Sequence, residues 1–398
     1  MDKKPEKLVP EVRFKGFTDD WEQYKLGGIS FKVNTKNKEN LTLPVLSNSA
    51  EYGIVNQEDY FDKQIANRTD NYYIVKHNDF VYNPRISKKA PYGPIRRNTL
   101  DTKGLMSPLY YVFRINDGNY IYLDYYFKSS KWYKFMYQNG DSGARSDRFA
   151  IKDKIFQMMP ISMPNTKEQN KIGQLIQTLQ KLISLQQRKL EQLKQLKKAM
   201  LQQLFVDKNN KQPNSRFKNF KGNWEQHRLE EVAQVTMGQS PSSKNYTDNP
   251  NDYVLVQGNA DLKSNKISPR VWTKEITKQV HKGEIIMTVR APVGYLAMAN
   301  MDAVIGRGVA AIDGNKYLYY LLQTKLMDRT WEKLSSGSTF ESISSNDIKN
   351  LEIKVTETEE EKLITKLMNT VTYFVTLQKN NLTQLTTLKK YLLQNLFI

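Results

Sequence analysis

The sequence contains no cysteine and only three histidines among its 398 residues. Without cysteine the chain cannot form a disulfide or a thiolate zinc site, and this absence fits a protein of a reducing compartment. The histidines are His77, His227 and His281, and no two of them lie at the spacing of a metal-ligand motif. Metal centres and histidine-dependent catalytic triads are therefore disfavoured.

Long hydrophobic runs are also missing from the chain. No apolar run approaches the roughly 18–20 residues that a membrane-spanning helix needs. Residues 1–5 lack the apolar centre of a signal peptide. We therefore expect a soluble, cytoplasmic protein without a membrane partner.

What the chain has in excess is positive charge. It carries 60 Lys and Arg residues against 41 Asp and Glu residues, a formal net charge of +19, and 11% of its residues are aromatic. This composition indicates a folded basic protein, and the commonest partner of such a protein is a polyanion. Nucleic acid is therefore the leading candidate partner. The length predicts two or three domains, each large enough for its own core.

The chain is a tandem repeat. Residues 10–26 recur as residues 213–229, and both copies contain Arg-Phe-x-x-Phe-x-x-x-Trp-Glu, 203 residues apart. Residues 185–205 recur as residues 377–397, 192 residues apart, with the same order of leucine, glutamine and lysine positions. The first repeat therefore has 11 more residues between its two shared segments. Repetition of this kind predicts two similar domains.

Each repeat closes with a long predicted helix, because apolar residues recur there at spacings of three and four. Asn165 and Thr166 before the first helix, and Thr356 and Thr358 before the second, supply N-cap residues. Neither apolar stripe is stable in water alone, so we predict that the helices pair as an intramolecular antiparallel coiled coil. The predicted seam and partner-docking residues are Leu179, Leu182, Leu190, Leu193, Leu196, Leu382, Leu385 and Leu388.

Short β-type runs and turn clusters rich in Tyr, Asn, Ser and Gly fill the segments between the helices. The predicted fold class is therefore α+β, with two tandem mixed α/β domains separated by two long helices packed as an antiparallel coiled coil. The predicted parts are a first domain (1–164), a central helix (165–207), a second domain (208–355) and a C-terminal helix (356–398).

This order of parts resembles one known family, the DNA sequence-specificity subunits of type I restriction-modification systems. The shared features are the Arg-Phe-x-x-Phe-x-x-x-Trp-Glu segment that opens each repeat, segments 142–145 and 336–339, and Glu168-Gln169-x-x-Ile172 at the start of the first helix. The second helix departs from the pattern, because Glu359-Glu-Glu-Lys stands where the family has Glu-Gln. The resemblance covers nearly the whole chain.

The resemblance implies a noncatalytic specificity subunit with two target-recognition domains. Each domain would read one half-site of a bipartite, asymmetric target on double-stranded DNA, and the helices would set the spacer and dock partner subunits. It also implies one copy of this chain per complex, together with two methyltransferase and two restriction subunits. S-adenosylmethionine, ATP and magnesium would be bound by those subunits, and this chain would hold no cofactor and no metal.

Clusters of Arg, Lys, Asn, Gln and Ser in predicted turns are the candidate DNA contacts. Cations suit phosphate contacts, and Arg, Asn and Gln suit bidentate contacts to base edges. The candidates in the first domain are Asn83, Arg85, Lys88, Lys89, Arg145, Ser146 and Arg148. Those in the second domain are Lys244, Asn245, Tyr246, Gln257, Asn259, Arg290 and Arg307. Trp21 and its copy Trp224 are predicted core residues, because reading surfaces should differ between the repeats.

Two other functions stay open at this stage, a stand-alone DNA methyltransferase or endonuclease fusion and a coiled-coil DNA-binding regulator. Residues 306–311 fit a cofactor-loop pattern, but a turn follows them where phosphate binding needs a helix. Asp347, Glu352 and Lys354 have the residue types of a metal-dependent nuclease, but the first repeat lacks the Glu and the Lys. Both patterns therefore favour a structural role.

Overall fold

The protein is described by a computed structural model, which covers residues 8–61, 68–141, 147–207, 209–335 and 342–398 with defined placement. The contacts divide the chain into two compact units. Unit 1 lies within residues 1–187 and 380–398, and unit 2 lies within residues 188–379.

Unit 1 consists of three small sheets and a set of mostly short helices. Its strands are β1 (Glu22–Lys25), β2 (Ser30–Lys32), β3 (Val45–Ser49), β4 (Gly53–Asn56), β5 (Tyr73–Val75), β6 (Phe80–Tyr82), β7 (Ile95–Arg97), β8 (Gly104–Met106), β9 (Tyr111–Ile115) and β10 (Pro160–Met163). Its helices are α1 (Leu26–Ile29), α2 (Gln57–Phe61), α3 (Tyr120–Lys128), α4 (Tyr133–Asn139), α5 (Asp153–Phe156) and the first part of α6 (Thr166–Leu204).

The sheets of unit 1 have the strand orders β2-β9-β6-β7 and β4-β3-β8-β5, and β1 pairs with β10 as a two-stranded ribbon. The β3–β8 pair is parallel, whereas β1 and β10 are antiparallel with Glu22 opposite Met163. The ribbon brings the two ends of segment 22–163 together. Everything between those ends is therefore one continuous module.

An aromatic core joins the sheet β2-β9-β6-β7 to α3. Phe80, Phe113 and Phe127 are almost fully buried, with ring centroids 5.4–6.0 Å apart. Trp21 is 1% exposed and meets Tyr122 edge-on at 6.0 Å. The core prediction for Trp21 is confirmed, and ring contacts of this geometry add to the stabilisation from buried area.

Among its described residues, unit 2 contains a four-stranded sheet, a five-stranded sheet and two two-stranded ribbons. Its strands are β11 (Glu225–Arg228), β12 (Gln234–Met237), β13 (Tyr246–Thr247), β14 (Tyr253–Val256), β15 (Leu262–Lys263), β16 (Lys266–Ile267), β17 (Trp272–Thr273), β18 (Gln279–Val280), β19 (Ile285–Thr288), β20 (Leu296–Met298), β21 (Ala303–Ile305), β22 (Val309–Asp313) and β23 (Glu352–Val355). Its helices are α7 (Leu229–Val232), α8 (Lys316–Met327), α9 (Thr330–Ser335), α10 (Ser345–Lys349), the last part of α6, and the first part of α11 (Thr358–Asn395).

The sheets of unit 2 have the orders β12-β22-β19-β20 and β13-β17-β14-β21-β18, and β11 pairs with β23 as a ribbon. Strand β19 is buried on both faces, which explains its uninterrupted apolar run. Ile285 and Met287 belong to the core around α8, whereas Ile286 belongs to the core shared with the second sheet. This alternation between cores follows from the two-residue period of a strand.

The two long helices share the core of each unit. In unit 1, Ile172, Ile176 and Leu179 of α6 lie in one cluster with Leu392 and Phe397 from the end of the chain. In unit 2, Leu201, Leu204 and Phe205 lie in one cluster with Ile364 and Met368 of α11. The start of each helix therefore packs with the end of the other, as an antiparallel pair requires. This confirms the predicted class of two mixed domains with long helices, whereas the detailed coiled-coil packing stays a prediction.

The predicted seam needs correction at three leucines. Leu182, Leu196 and Leu388 are exposed by 38%, 47% and 45%. The residues that turn inward in unit 1 include Ile176 and Ile183, which are 0% and 6% exposed. The reason is that the helix packs against its own domain as well as against the other helix, so its buried face includes residues outside the predicted leucine stripe. Leu179 and Leu190 are buried, and Leu193, Leu382 and Leu385 are half-buried.

The two repeats build the same frame around these helices. Arg13 donates Nε and Nη2 to the carboxylate of Glu168, each at 2.8 Å, and Arg216 does the same to Glu360. The equivalence locates the departure in the second helix, because Glu360 occupies the position of Glu168 and Glu361 that of Gln169. Trp224, the copy of Trp21, is 5% exposed, and its ring centroid lies 6.2 Å from that of Tyr317. The predicted core position of Trp224 is therefore confirmed.

The helix ends are equivalent too. The ring of Phe397 lies 5.3 Å from that of Tyr122 in unit 1, and the ring of Phe205 lies 5.4 Å from that of Tyr317 in unit 2. Val12 N–H donates to Asn395 O at 3.0 Å, and its counterpart Ser215 N–H donates to Gln203 O at 2.9 Å. Each unit is thus completed by the end of the helix that belongs to the other repeat.

Candidate nucleic-acid interfaces

A groove of about 680 Å³ in unit 1 brings together four of the predicted residues. Asn83, Arg85, Lys88 and Lys89 line it, together with residues of the β3–β4 hairpin and of α2. We call this feature the unit 1 groove. Its cations are exposed, which suits them to contact phosphates.

The side chain of Asn83 is bonded to the backbone of other residues of the groove. It is 8% exposed, its Nδ2 donates to Asn48 O at 2.9 Å, and its Oδ1 accepts from Arg85 N at 2.9 Å. Both polar atoms of this amide are thus engaged within the protein. Asn83 therefore positions the backbone of Arg85 rather than presenting an amide to a base.

The remaining first-domain candidates do not all line the same concavity. Lys89 pairs with Glu51 across the groove at 2.8 Å, and both side chains are more than half exposed, so the pair contributes little stability. The backbone of Arg85 forms an isolated antiparallel β-bridge with that of Arg148. Arg148 itself lines a neighbouring concavity of about 850 Å³. The candidates Arg145 and Ser146 lie outside the described residues, as do segments 142–145 and 336–339 of the family resemblance.

In unit 2 a carboxylate organises the loop that carries Lys244, Asn245 and Tyr246. Oε2 of Glu275 accepts from Ser242 N–H at 2.9 Å and from Asn245 Nδ2 at 2.6 Å. These two hydrogen bonds, together with nearby Lys244, lower the pKa of Glu275 because they favour its ionised form. Asn245 is therefore held in place by an acid that the sequence analysis missed.

Gln257 and Arg307 lie beside the same loop. Gln257 Nε2 donates to Tyr246 OH at 2.6 Å, and Arg307 N–H donates to Ser240 Oγ at 3.2 Å. The backbones cross so closely here that a Cβ at Gly308 would lie 2.0 Å from Gln257 O. We call the surface formed by segments 242–246, 257–259 and 306–308 the unit 2 surface.

The glycines of segment 306–311 therefore allow the backbones to pass close to each other. A Cβ at Gly238 would lie 2.1 Å from Gly306 O, and strand β22 rather than a helix follows the segment. The backbone has to approach its neighbours closely, which is a sufficient reason for glycine.

The last two second-domain candidates are Arg290, which lies beside the unit 2 surface, and Asn259, which belongs to it. Arg290 is exposed and follows Val289, whose N–H donates to Gly308 O at 3.0 Å. Asn259 is exposed at the start of a 3₁₀ turn, Asn259–Asp261. Thus all seven second-domain candidates lie in unit 2 on or next to one surface, with Asn245, Tyr246 and Gln257 bonded internally.

The nuclease-like residues have structural roles. Asp347 forms a capping box with Ser344 at the start of α10. Glu352 pairs with Arg228 in the closing ribbon, and Lys354 Nζ donates to the carbonyl oxygens of Asp207 and Asn210 at 3.1 and 2.6 Å. Among the residues with defined placement, no three His, Cys, Asp or Glu side chains converge as metal ligands would. In the same part of the chain, no helix is long and apolar enough to cross a membrane.

Two mixed α/β units, each closed by a ribbon and each carrying polar and basic loops, define a tandem-domain recognition protein. The chain belongs to the type I restriction modification DNA specificity domain family, whose model matches residues 18–195 and again residues 221–387. The double match confirms the tandem arrangement and the resemblance found in the sequence.

Individual relatives agree with this family. The MjaX type I restriction enzyme specificity subunit of Methanocaldococcus jannaschii is 27% identical over 282 residues, which cover 68% of this chain and 64% of that protein. The match thus spans just under two-thirds of that relative's length.

Two solved structures share the fold. One, reported for complex assembly and conformational transition of a type I R-M system, is 20% identical, covers 94% of this chain and 96% of its own, and has a TM-score of 0.60. The type I restriction-modification system S subunit from M. genitalium is 15% identical, covers 98% and 99%, and also has a TM-score of 0.60.

Proposed function

We propose that this chain is the noncatalytic DNA sequence-specificity subunit of a type I restriction-modification complex, with one target-recognition domain in each unit. The observation that carries the proposal is that two equivalent frames hold unlike surfaces. Three features are repeated: the Arg–Glu ion pair, the closing ribbon, and the socket in which a phenylalanine at a helix end packs on a tyrosine (Phe397 on Tyr122, Phe205 on Tyr317). The unit 1 groove and the unit 2 surface, by contrast, differ in shape and residues. Unlike surfaces on like frames suit a double-stranded DNA target in two unlike halves.

Cationic residues on both surfaces support binding to a duplex. Arg85 and Lys88 edge the unit 1 groove, and Lys244, Arg290 and Arg307 edge the unit 2 surface. These exposed side chains suit phosphates, which fix the register of a protein on DNA. The net charge of +19 supports the same partner and predicts affinity that falls with salt.

Repeated apolar positions on the long helices support docking of two copies of one partner. Leu182, Leu185 and Leu388 are exposed in unit 1, and their counterparts Phe374, Leu377 and Leu196 are exposed in unit 2. Exposed apolar groups that recur in this way mark interaction sites. We propose that the two sites bind two methyltransferase subunits, that two restriction subunits join them, and that one copy of this chain serves the complex.

The cofactors would reside in those partners. Under this proposal S-adenosylmethionine is held by the methyltransferase subunits, and ATP and magnesium by the restriction subunits, in the cytoplasm. This chain contributes recognition and docking only.

The experiment that tests the recognition proposal exchanges segment 22–163 for the equivalent segment of a relative. The β1–β10 ribbon makes these ends neighbours, so the exchange leaves the helices and unit 2 intact. An exchange of residues 83–148 alone would replace β7 and β9 but leave β2 and β6 of the same sheet in place. The exchanged chain is co-expressed with its methyltransferase, and methylated sites are mapped by long-read sequencing.

We expect one half of the methylated sequence to change and the other half to persist. The matched control exchanges segment 225–355, which the β11–β23 ribbon closes in the same way and which should change only the other half. A change of both halves by either exchange contradicts independent reading by the two units.

Docking is tested separately by Leu185→Asp and Leu377→Asp. Both side chains are exposed, by 54% and 40%, so the fold should survive while the interaction weakens. The measurement is the mass of the complex with the methyltransferase on size-exclusion chromatography with light scattering. Loss of one methyltransferase copy in each single variant and of both in the double variant is expected. An unchanged complex in the double variant would exclude these sites.

A further inference from the structure

Three exposed aromatic side chains cluster at the unit 1 groove, where Tyr60 and Phe61 line the groove and Tyr52 contacts Tyr60. Tyr52, Tyr60 and Phe61 are exposed by 65%, 44% and 42%. Tyr60 contacts both of the others edge-on, with centroid distances of 5.9 Å to Tyr52 and 4.8 Å to Phe61. We call this set the aromatic wall. Scattered apolar residues are normal on a surface, whereas three exposed rings joined by two ring contacts are a feature that a partner would cover.

The local structure holds the wall in place. Tyr52 lies in the turn between β3 and β4, where Gly53 adopts a φ of +76°. Ser49 Oγ accepts from Tyr52 N–H at 3.3 Å, and Arg96 Nη2 donates to Ala50 O at 2.8 Å. Tyr60 and Phe61 follow in α2, next to β4. The rings are therefore presented by a braced hairpin and the helix beside it.

The unit 1 groove also carries cations. Arg85, Lys88 and Lys89 line it, and Tyr60 and Phe61 line the same space of about 680 Å³. The cations select a polyanion, and a duplex is the polyanion that the proposed function supplies. The apolar group that a duplex exposes in its major groove is the 5-methyl of thymine. An apolar wall and cations in one groove fit a duplex, whose major groove presents thymine methyls between two phosphate backbones.

We propose that the aromatic wall contacts thymine 5-methyl groups in the half-site bound by unit 1. This inference rests on the proposed function and names how one unit tells A·T pairs from G·C pairs. Tyr60 is the central residue, because it touches both other rings. Arg85 and Lys88 contact the DNA backbone, so the wall supplies discrimination and the cations supply affinity.

The test uses the full chain bound to its methyltransferase. Duplexes are first selected from a pool with a randomised centre, which defines both half-sites. Each thymine of the unit 1 half-site is then replaced by deoxyuridine, which lacks only the 5-methyl group. Exchange of segment 22–163 identifies which half-site belongs to unit 1.

We expect the loss of a contacted methyl to weaken binding about threefold to fivefold, the value of one buried carbon group. Tyr60→Ala should weaken binding of the thymine duplex and remove its advantage over the deoxyuridine duplex. Tyr60→Phe should keep that advantage, because it keeps the ring. The control is Tyr137→Ala, which removes a ring that is 73% exposed on α4 and outside the groove, and it should leave both affinities unchanged.

The outcomes separate the two proposals. If the complex selects no duplex sequence, the proposed function fails. If it selects a target whose unit 1 half-site contains no thymine, or one whose thymines tolerate deoxyuridine without loss, the aromatic wall does not read methyl groups. The same conclusion follows if Tyr60→Ala leaves the methyl dependence intact. Kinking by a ring inserted between bases would give that last pattern.

Discussion

Glu168 and Glu360 are carboxylates with 0% and 1% exposure, at the starts of α6 and α11. Each accepts two hydrogen bonds from one arginine that lies about 150 residues away in the chain. Such a pair is worth little over a well-packed apolar pair, but loss of one partner leaves a buried charge unpaired. The pairs therefore tie the entry of each repeat to its closing helix.

Arg13→Ala should destabilise unit 1 by about 3–5 kcal/mol, because Glu168 stays buried without its partner. Hydrogen exchange of unit 1 amides under native conditions measures the change, with unit 2 amides as an internal reference. The double variant Arg13→Ala/Glu168→Leu should recover much of the loss. If the double variant is as unstable as the single one, the unpaired charge is not the cause.

Glu275 predicts a pH dependence for the unit 2 surface. Its pKa lies below the ordinary value of 4.5, chiefly because Asn245 and Ser242 donate to it, so its contribution to the folded loop is present above that value. The contribution is lost only as the pH falls through the lowered value. Protection of the Ser242 amide in hydrogen exchange should therefore be constant above pH 4.5 and fall only at more acidic pH.

Glu275→Gln is the matched control, since it keeps the shape and removes the titrating group. Its Ser242 protection should be lower and should not change in the acidic range. The same variant should relax the half-site read by unit 2 and leave the other half-site unchanged in methylation maps. An acid-dependent loss that persists in Glu275→Gln would assign the effect to another group.

At this scale the sequence revealed the chemistry but not the partners of each side chain. Arg85, Lys88 and Lys244 could be chosen because cations in turns are visible in the sequence. The internal bonds of Asn83 and Gln257 could not, because their partners Asn48 and Tyr246 are 35 and 11 residues away. Glu275 and the aromatic wall were missed for the same reason. Only folding places them beside the cations.

At the scale of one helix, adjacent residues of α6 should behave oppositely. Ile183 is 6% exposed within the unit 1 core, whereas Leu182 is 38% exposed. Ile183→Asp should cost several kcal/mol because it buries an unpaired charge, and Leu182→Asp should cost less than about 1 kcal/mol. Thermal unfolding of the two variants measures the difference. Equal destabilisation by the two substitutions would support the predicted place of Leu182 in the seam between the helices.

The long helices were predictable, and their buried face was not. The spacing of apolar residues and the Asn165 cap predict a helix close to the observed Thr166–Leu204. Two apolar stripes with the same spacing run along it, one through Leu182 and one through Ile183. The choice depends on the residues that α6 meets within unit 1, including Tyr122 of α3 and Leu392 of α11. A pattern within one helix cannot supply that information.

For the whole molecule, recognition without catalysis is the expectation. The purified chain should bind duplex DNA with an affinity that falls steeply with salt, and should neither methylate nor cleave it. Methyl transfer from labelled S-adenosylmethionine, assayed with and without the methyltransferase, provides the measurement. Methylation by the chain alone would exclude the specificity-subunit proposal and favour a methyltransferase fusion.

The socket that receives each helix end has a consequence for inheritance. Tyr122 and Tyr317 receive Phe397 and Phe205, and segments 185–205 and 377–397 share 12 of their 21 residues. Homologous recombination needs such matching stretches on either side of the sequence it exchanges. A gene with two of them can acquire a new recognition segment from a related allele while the junctions stay compatible with folding. New target sequences would then arise by crossover, faster than by substitution of single base-reading residues.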